Sequence, residues 1–134
     1  MMKLSFFLPM LPPTVTAQEH QVSCVKGKPV FYDPPELKTA KAKLAAHLSR
    51  HIPERSFTGA LRVIVKWCFP VVGKHKDGEY KTTKPDISNL QKALEDVMED
   101  LNFYSNDALI VSLIVEKFYS SIPGIFILIE EIKQ

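Results

Sequence analysis

Between Ala60 and Phe69 the chain reads ALRVIVKWCF, and its hydrophobic positions alternate. Leu61, Val63, Val65, Trp67 and Phe69 share one face, while Arg62 and Lys66 look the other way with Ile64 and Cys68 between them. A period of two predicts a strand half-buried against a helix layer, with Trp67 in the core. Lys3–Leu8 predicts a second strand, with Leu4, Phe6 and Leu8 on its inner face. The Pro- and Thr-rich stretch PMLPPTVTAQEHQV predicts a connection that is not regular throughout, and KGKPVFY a glycine turn followed by a short strand or extended segment. Near the C-terminus ALIVSLIVEKF and IFILIEEI are apolar runs separated by Pro123–Gly124, which predicts two strands closing as a hairpin.

Two segments follow the helical period instead. In DPPELKTAKAKLAAHLSRHIP, the side chains of Leu37, Ala40, Leu44, Leu48 and Ile52 form one stripe, with Lys38, Lys41, Lys43, Arg50 and Arg55 mostly off it. Asp33 suits the N-cap, Pro34 the first helical position and Glu36 the position that completes a capping box, and Pro53 ends the run. A second helix is predicted over roughly Asp86–Leu101. Leu90, Ala93, Leu94, Val97 and Leu101 cluster on one side of it, and Ser88, Lys92, Glu95, Asp96 and Glu99 on the other. The order strand, helix, strand, helix, strand, strand predicts an α+β fold. We expect one domain over residues 1–134, a small mixed β-sheet packed with two main helices.

Composition narrows the class only a little. The chain has 134 residues, 46% hydrophobic and 24% charged, as in ordinary globular proteins. A net charge of +2 does not by itself mark a nucleic-acid binder, so any such argument rests on where the charges sit. The opening MMKLSFFLPMLPP is short and broken by prolines, unlike a signal peptide or a membrane span. The expectation is a cytoplasmic protein with no membrane partner, in which Cys24 and Cys68 are free thiols. His47 and His51 stand four apart on a helix but have no third ligand nearby, which favours surface placement over a metal site.

The chemistry concentrates in KPDISNLQKALED, residues 84–96. Asp86 at the start of a helix admits two readings: an N-cap that accepts amide hydrogen bonds, or a metal-binding carboxylate. Asp107 stands immediately before a hydrophobic strand, from which it can reach the same rim of the sheet. Hard cations such as Mg²⁺ take one or two carboxylates plus waters and substrate phosphate, and such an ion polarises a phosphodiester and activates water. Lys92 can neutralise phosphate charge, or simply bridge Asp96 or Glu95 on the surface. Ahead of the helix, Lys74, Lys76, Lys81 and Lys84 outnumber Asp77 and Glu79, and an Asp-Gly turn is predicted at Asp77–Gly78. A basic lead-in to an acidic site suits a protein that follows a phosphate backbone and cuts it.

The stretch KPDISNLQKALEDVMEDLNFYSNDALIV resembles the core motif of the RusA family of Holliday junction resolvases. That motif runs Asp-x-Asp-Asn-Leu-x-Lys and, about a helix later, Asp-Asp-Ala-x-Val. Here it reads Asp86, Ser88, Asn89, Leu90, Lys92, then Asn106, Asp107, Ala108 and Ile110. The segments LPMLPPTVTAQE, GKPVFYDPPELKTAKAKL and EKFYSSIPGIFILIE are similar to phage-type members, so the resemblance covers essentially the whole chain. It implies a homodimer that cleaves four-way DNA junctions with Mg²⁺ by paired, symmetry-related nicks. It also implies that Asp86 and Asp107 bind metal and that Lys92 is catalytic. Two positions depart from the motif: Ser88 replaces its second acid, and Asn106 the first aspartate of its pair. Serine keeps a neutral oxygen that can still ligate Mg²⁺ but removes a charge. Glu95 and Asp96 lie on the same polar side as auxiliary acids. The favoured expectation is an active resolvase with altered ligands, and the alternative a weakened or inactive dimeric binder of branched DNA.

Overall fold

The computed structural model describes residues 2–14, 21–25, 27–32 and 34–134. Four strands form one mixed sheet: β1 (Lys3–Leu8), β4 (Leu61–Pro70), β5 (Ile110–Ser120) and β6 (Gly124–Glu131), in the order β1-β6-β4-β5. β4 pairs in parallel with β5 and antiparallel with β6, and β6 pairs antiparallel with β1. A separate antiparallel pair, β2 (Gln21–Val25) and β3 (Lys28–Tyr32), precedes the first helix, with Gly27 in its turn at φ 76°. The helices are α1 (Pro35–Leu48) and α2 (Ile87–Asp100). This is the expected α+β architecture of a mixed sheet and two main helices. Among the described residues no helix is long and apolar enough to cross a membrane.

The two sequence periods account for the core. Leu61, Val63, Val65, Trp67 and Phe69 of β4 are all buried, and so are Phe6 and Leu8 of β1 and Ile125, Ile127 and Ile129 of β6. Leu44 and Leu48 of α1 and Leu90, Leu94 and Val97 of α2 close over this face. Burying each such side chain stabilises the fold by roughly 1.5–3 kcal/mol. The opposite face of the sheet carries the polar half of the alternation: Arg62 lies 3.5 Å from Glu130 and Lys66 3.8 Å from Glu116, both at least partly exposed. Cys68 is a buried free thiol, and burial pushes its pKa up; the side chain of Cys24 lies outside the described residues.

Two expectations are corrected. The last two strands are not a hairpin, because β4 lies between them. β5 has β4 on one edge, and on the other residues 78–81, which exchange backbone hydrogen bonds with Lys117 and Tyr119. No edge is left there for β6, so the chain steps past β4 and pairs on its far side. Finally, α1 starts one residue late: Pro34 is extended (φ −66°, ψ 157°) and Pro35 opens the helix. The proposed cap Asp33 lies outside the described residues. At the far end the helix gives way at Ser49 to a 3₁₀ turn, which leaves Ile52 beyond the stripe and 41% exposed.

Gly124 starts β6 where it crosses the end of β1. A methyl group there would run into the Phe7 ring and come within 2.5 Å of the Leu8 carbonyl oxygen. Phe7 can move, but the carbonyl belongs to the β1 backbone. Gly124→Ala should therefore destabilise the fold by about 1–3 kcal/mol, as overpacking does. A lower urea midpoint with an unchanged m-value would show it.

Candidate functional site

The site is built on the start of α2, and β5 holds that start in place. Lys117 Nζ donates to the carbonyls of Thr83 (2.6 Å) and Pro85 (2.7 Å), tying down the residues on either side of Lys84, whose bond to Pro85 is cis. Desolvation, and then the neighbouring charge of Lys81, push the Lys117 pKa down, while Asp86 opposes them. The alternation of β5 puts Lys117 on the same face as Val115 and Tyr119, where an apolar residue is expected. A lysine breaking that period was the available signal for its role.

The basic loop divides into two parts. Lys74, Lys76 and Lys84 are exposed. Lys81 is half-buried: its ammonium lies 5.3 Å from the Phe69 ring centroid and 5.2 Å from that of Tyr119, and it donates to Thr83 Oγ1 at 2.7 Å. His75 contacts Glu79 and stacks on Tyr119 at 4.2 Å, and the contact with His75 holds the Glu79 carboxyl below its usual pKa. The Asp77–Gly78 turn is present, with Gly78 at φ 87°. Asp77 accepts the Ser121 amide, which joins the loop to the β5–β6 connection.

Asp86 occupies the N-cap position with extended backbone (φ −68°, ψ 139°), but its side chain makes no capping hydrogen bond. Its only side-chain bond among the described residues is a long one from Asn89 Nδ2, at 3.4 Å. The capping reading therefore fails at the side chain, and the carboxylate is exposed with its oxygens largely uncommitted.

Ser88, Gln91, Lys92, Glu95, Asp96, Asp107 and Leu113 line one open cavity of about 240 Å³ between α2 and β5. Of the residues singled out in the sequence, the fold thus brings together Ser88, Lys92, Glu95, Asp96 and Asp107. Asp86 and the loop lysines are not part of the lining. Asp96 lies 3.7 Å from Lys41 of α1 and 4.0 Å from Lys92, so its charge is shared between two cations. Burial pushes the Glu95 pKa up; the neighbouring Gln91 amide draws it back, the charges of Asp107 and Asp96 raise it further, and Lys92 opposes them. Gln91 acts at short range but not in hydrogen-bond alignment: it is 4% exposed, and neither its Nε2 nor its Oε1 has a partner. Among the described residues no three Asp, Glu, His or Cys side chains converge closely enough to enclose an ion.

Asp107 opens a 3₁₀ turn (Asp107–Leu109) that leads into β5. Glu99 Oε1 accepts the Asp107 amide at 2.8 Å, and Asn106 Oδ1 accepts the Ala108 amide at 2.7 Å. Both bonds orient the turn. Asn106 thus has a defined job as a cap, which needs only an acceptor oxygen. Beneath them the buried Tyr104 hydroxyl donates to the Glu95 carbonyl at 2.9 Å. Sequence reasoning missed Gln91, Tyr104 and Lys117, and placed Glu99 on the polar face of α2 without a role. Gln91 carried a faint signal: with Met98, seven residues on, it flanks the apolar stripe of α2, and both are buried.

Residues 11–130 match the family model described as Endodeoxyribonuclease RusA. The chain is 33% identical over 118 residues to the crossover junction endodeoxyribonuclease rusA of Lactococcus phage r1t, covering 87% of this chain and 88% of that one. It is 34% identical over 117 residues to the protein YqaN of Bacillus subtilis (strain 168), covering 79% of this chain and 82% of that one.

Replacing Lys117 by methionine keeps the length of the side chain but strips its two bonds from the Thr83 and Pro85 carbonyls. The expected cost is about 1–3 kcal/mol, typical for bonds to a charged donor. Hydrogen exchange should speed up over residues 83–90 and stay unchanged in the centre of β4. Uniform loosening of both regions would count against a local role.

Proposed function

The chain belongs to the RusA family of endodeoxyribonucleases, and on that premise we propose that it resolves four-way DNA junctions as a homodimer, by Mg²⁺-dependent paired hydrolysis of symmetry-related phosphodiesters. The observation that carries this reading is the cavity in which Asp107 and Lys92 meet on the α2–β5 flank. Its oxygen donors are carboxylates, a hydroxyl and the Gln91 amide, with no sulfur or imidazole, which is the hard-oxygen set that Mg²⁺ prefers. A site supplying one or two carboxylates and leaving the remaining positions to water and phosphate needs no enclosing cluster of three acids.

In this reading Asp107 holds the ion from the cavity wall, Asp86 contributes its uncommitted carboxylate from the helix start, and Ser88 offers a neutral oxygen. The bound ion supplies positive charge to a phosphoryl oxygen and acidity to a water. Lys92 is exposed and only loosely paired with Asp96 at 4.0 Å, so its ammonium is free to turn to the phosphate and offset the charge that builds during hydrolysis. Lys74, Lys76 and Lys84 present positive charge ahead of α2, suited to backbone phosphates; Lys81 contributes to the same field from its seat on Phe69 and Tyr119. Two equivalent cuts on a two-fold symmetric junction call for two equivalent sites, hence the homodimer.

The test is a synthetic four-way junction incubated with Mg²⁺ and read strand by strand on a denaturing gel. Paired symmetric nicks are expected, with linear duplex left uncut. Asp107→Asn should abolish cleavage and leave junction retardation largely intact. A wild-type protein that retards the junction without cutting it would overturn the proposal in favour of a branched-DNA binder.

A further inference from the structure

We propose that Glu95 supplies the carboxylate the family motif carries at position 88, so that the divalent ion is held between Glu95 and Asp107, with Gln91 as the positioning residue for Glu95. The inference rests on the metal-dependent reading above and names the ligand that compensates for Ser88. Ser88 and Glu95 are seven residues apart, two turns of α2, and both line the cavity. A carboxylate displaced along the helix by two turns still projects from the same flank, and the longer glutamate side chain extends its reach.

Asp96 is the competing acid, and its surroundings argue against it. It faces Lys41 at 3.7 Å and Lys92 at 4.0 Å, so two ammonium groups already answer its charge. Glu95 has no cation within ion-pair distance among the described residues; Lys92 acts on it from further off, and the acids Asp96 and Asp107 share its cavity. A cation between Glu95 and Asp107 turns that repulsion into attraction.

Gln91 is the independent sign that the cavity is incomplete as it stands. It is buried in the cavity wall, 4% exposed, with both polar atoms of its amide lacking partners. Buried amides are satisfied in the great majority of folded proteins, and an exception calls for a physical explanation, of which an ion or water that completes the bond is one. One turn before Glu95 on the same helix, Gln91 is the neutral donor placed to fix the second carboxylate oxygen once the first is on the ion. Such outer contacts orient metal ligands and tune affinity.

The experiment is Mn²⁺ titration of the full chain, with free Mn²⁺ followed by its paramagnetic resonance signal and folding of each variant checked by circular dichroism. E95Q should weaken binding by at least about tenfold, and Q91L by about tenfold. D96N should stay near wild type. Adding S88D to E95Q should restore affinity by returning a carboxylate to the motif position, a rescue that a merely misfolded E95Q would not show. Wild-type affinity in E95Q, or an equal loss in D96N, overturns the assignment. Loss in D107N with none in E95Q overturns Glu95 alone and leaves the proposed function standing; a wild-type chain that binds no Mn²⁺ overturns both.

Discussion

The parallel pairing of β4 with β5 organises this molecule. Parallel neighbours cannot be joined by a tight turn, so the chain has to leave the end of β4, cross a face of the sheet and re-enter at the start of β5. The crossover here comprises the basic loop, α2 and the short turn that begins at Asp107. The apolar stripe of α2 is buried in the same core as the inner face of β4, and this sets its rotation about its own axis. Once that rotation is fixed, Ser88, Lys92 and Glu95 must emerge on the flank, alongside Leu113 of β5 and the turn carrying Asp107. The cavity is a geometric consequence of burying leucines.

The charges at the two ends of this arrangement are held by different means. At the helix start, Lys117 spends its hydrogen bonds on the carbonyls of Thr83 and Pro85 rather than on a carboxylate. That leaves Asp86 to be stabilised by the field of the helix N-terminus without a hydrogen bond from it. A field is non-directional, so the carboxylate keeps its oxygens available, whereas a capped aspartate would have committed one. At the other end, Asp107 is positioned through its backbone: Glu99 takes its amide and Asn106 that of Ala108. In both cases the bonds that place the residue avoid its carboxylate.

The parts of the fold legible in the sequence are those with an undisturbed period. The alternation in β4 and the stripe in α2 gave the strand, the helix and their buried faces nearly residue for residue, because burial on one side demands that repetition. Strand order was not legible in the same way. The Pro123–Gly124 turn reads as a hairpin because local chemistry fixes only the reversal, while pairing depends on which edges are already occupied. Residues 78–81 occupy the outer edge of β5 through backbone bonds that no side-chain pattern announces. Within the site, Asp86, Ser88, Lys92 and Asp107 were visible from motif spacing. Gln91 and Lys117 hold polar groups at apolar positions, and a period-based reading averages such exceptions away.

The two departures from the family motif also differ in kind. Asn106 stands where the motif has an aspartate, and the bond it makes is to the Ala108 amide. An amide oxygen accepts that bond as a carboxylate would, so the turn that aims Asp107 keeps its geometry, and the change costs one charge at an exposed position. Ser88 lies in the cavity wall, where an oxygen without charge is a poorer match for a divalent ion. On the metal-dependent reading the first substitution is therefore tolerable alone, whereas the second calls for a carboxylate from elsewhere in the same space. Asp96 is engaged by Lys41 and Lys92, and Asp86 lies outside the lining. What α2 offers on that flank, without an ion pair among the described residues and beside a buried amide that lacks a partner among them, is Glu95.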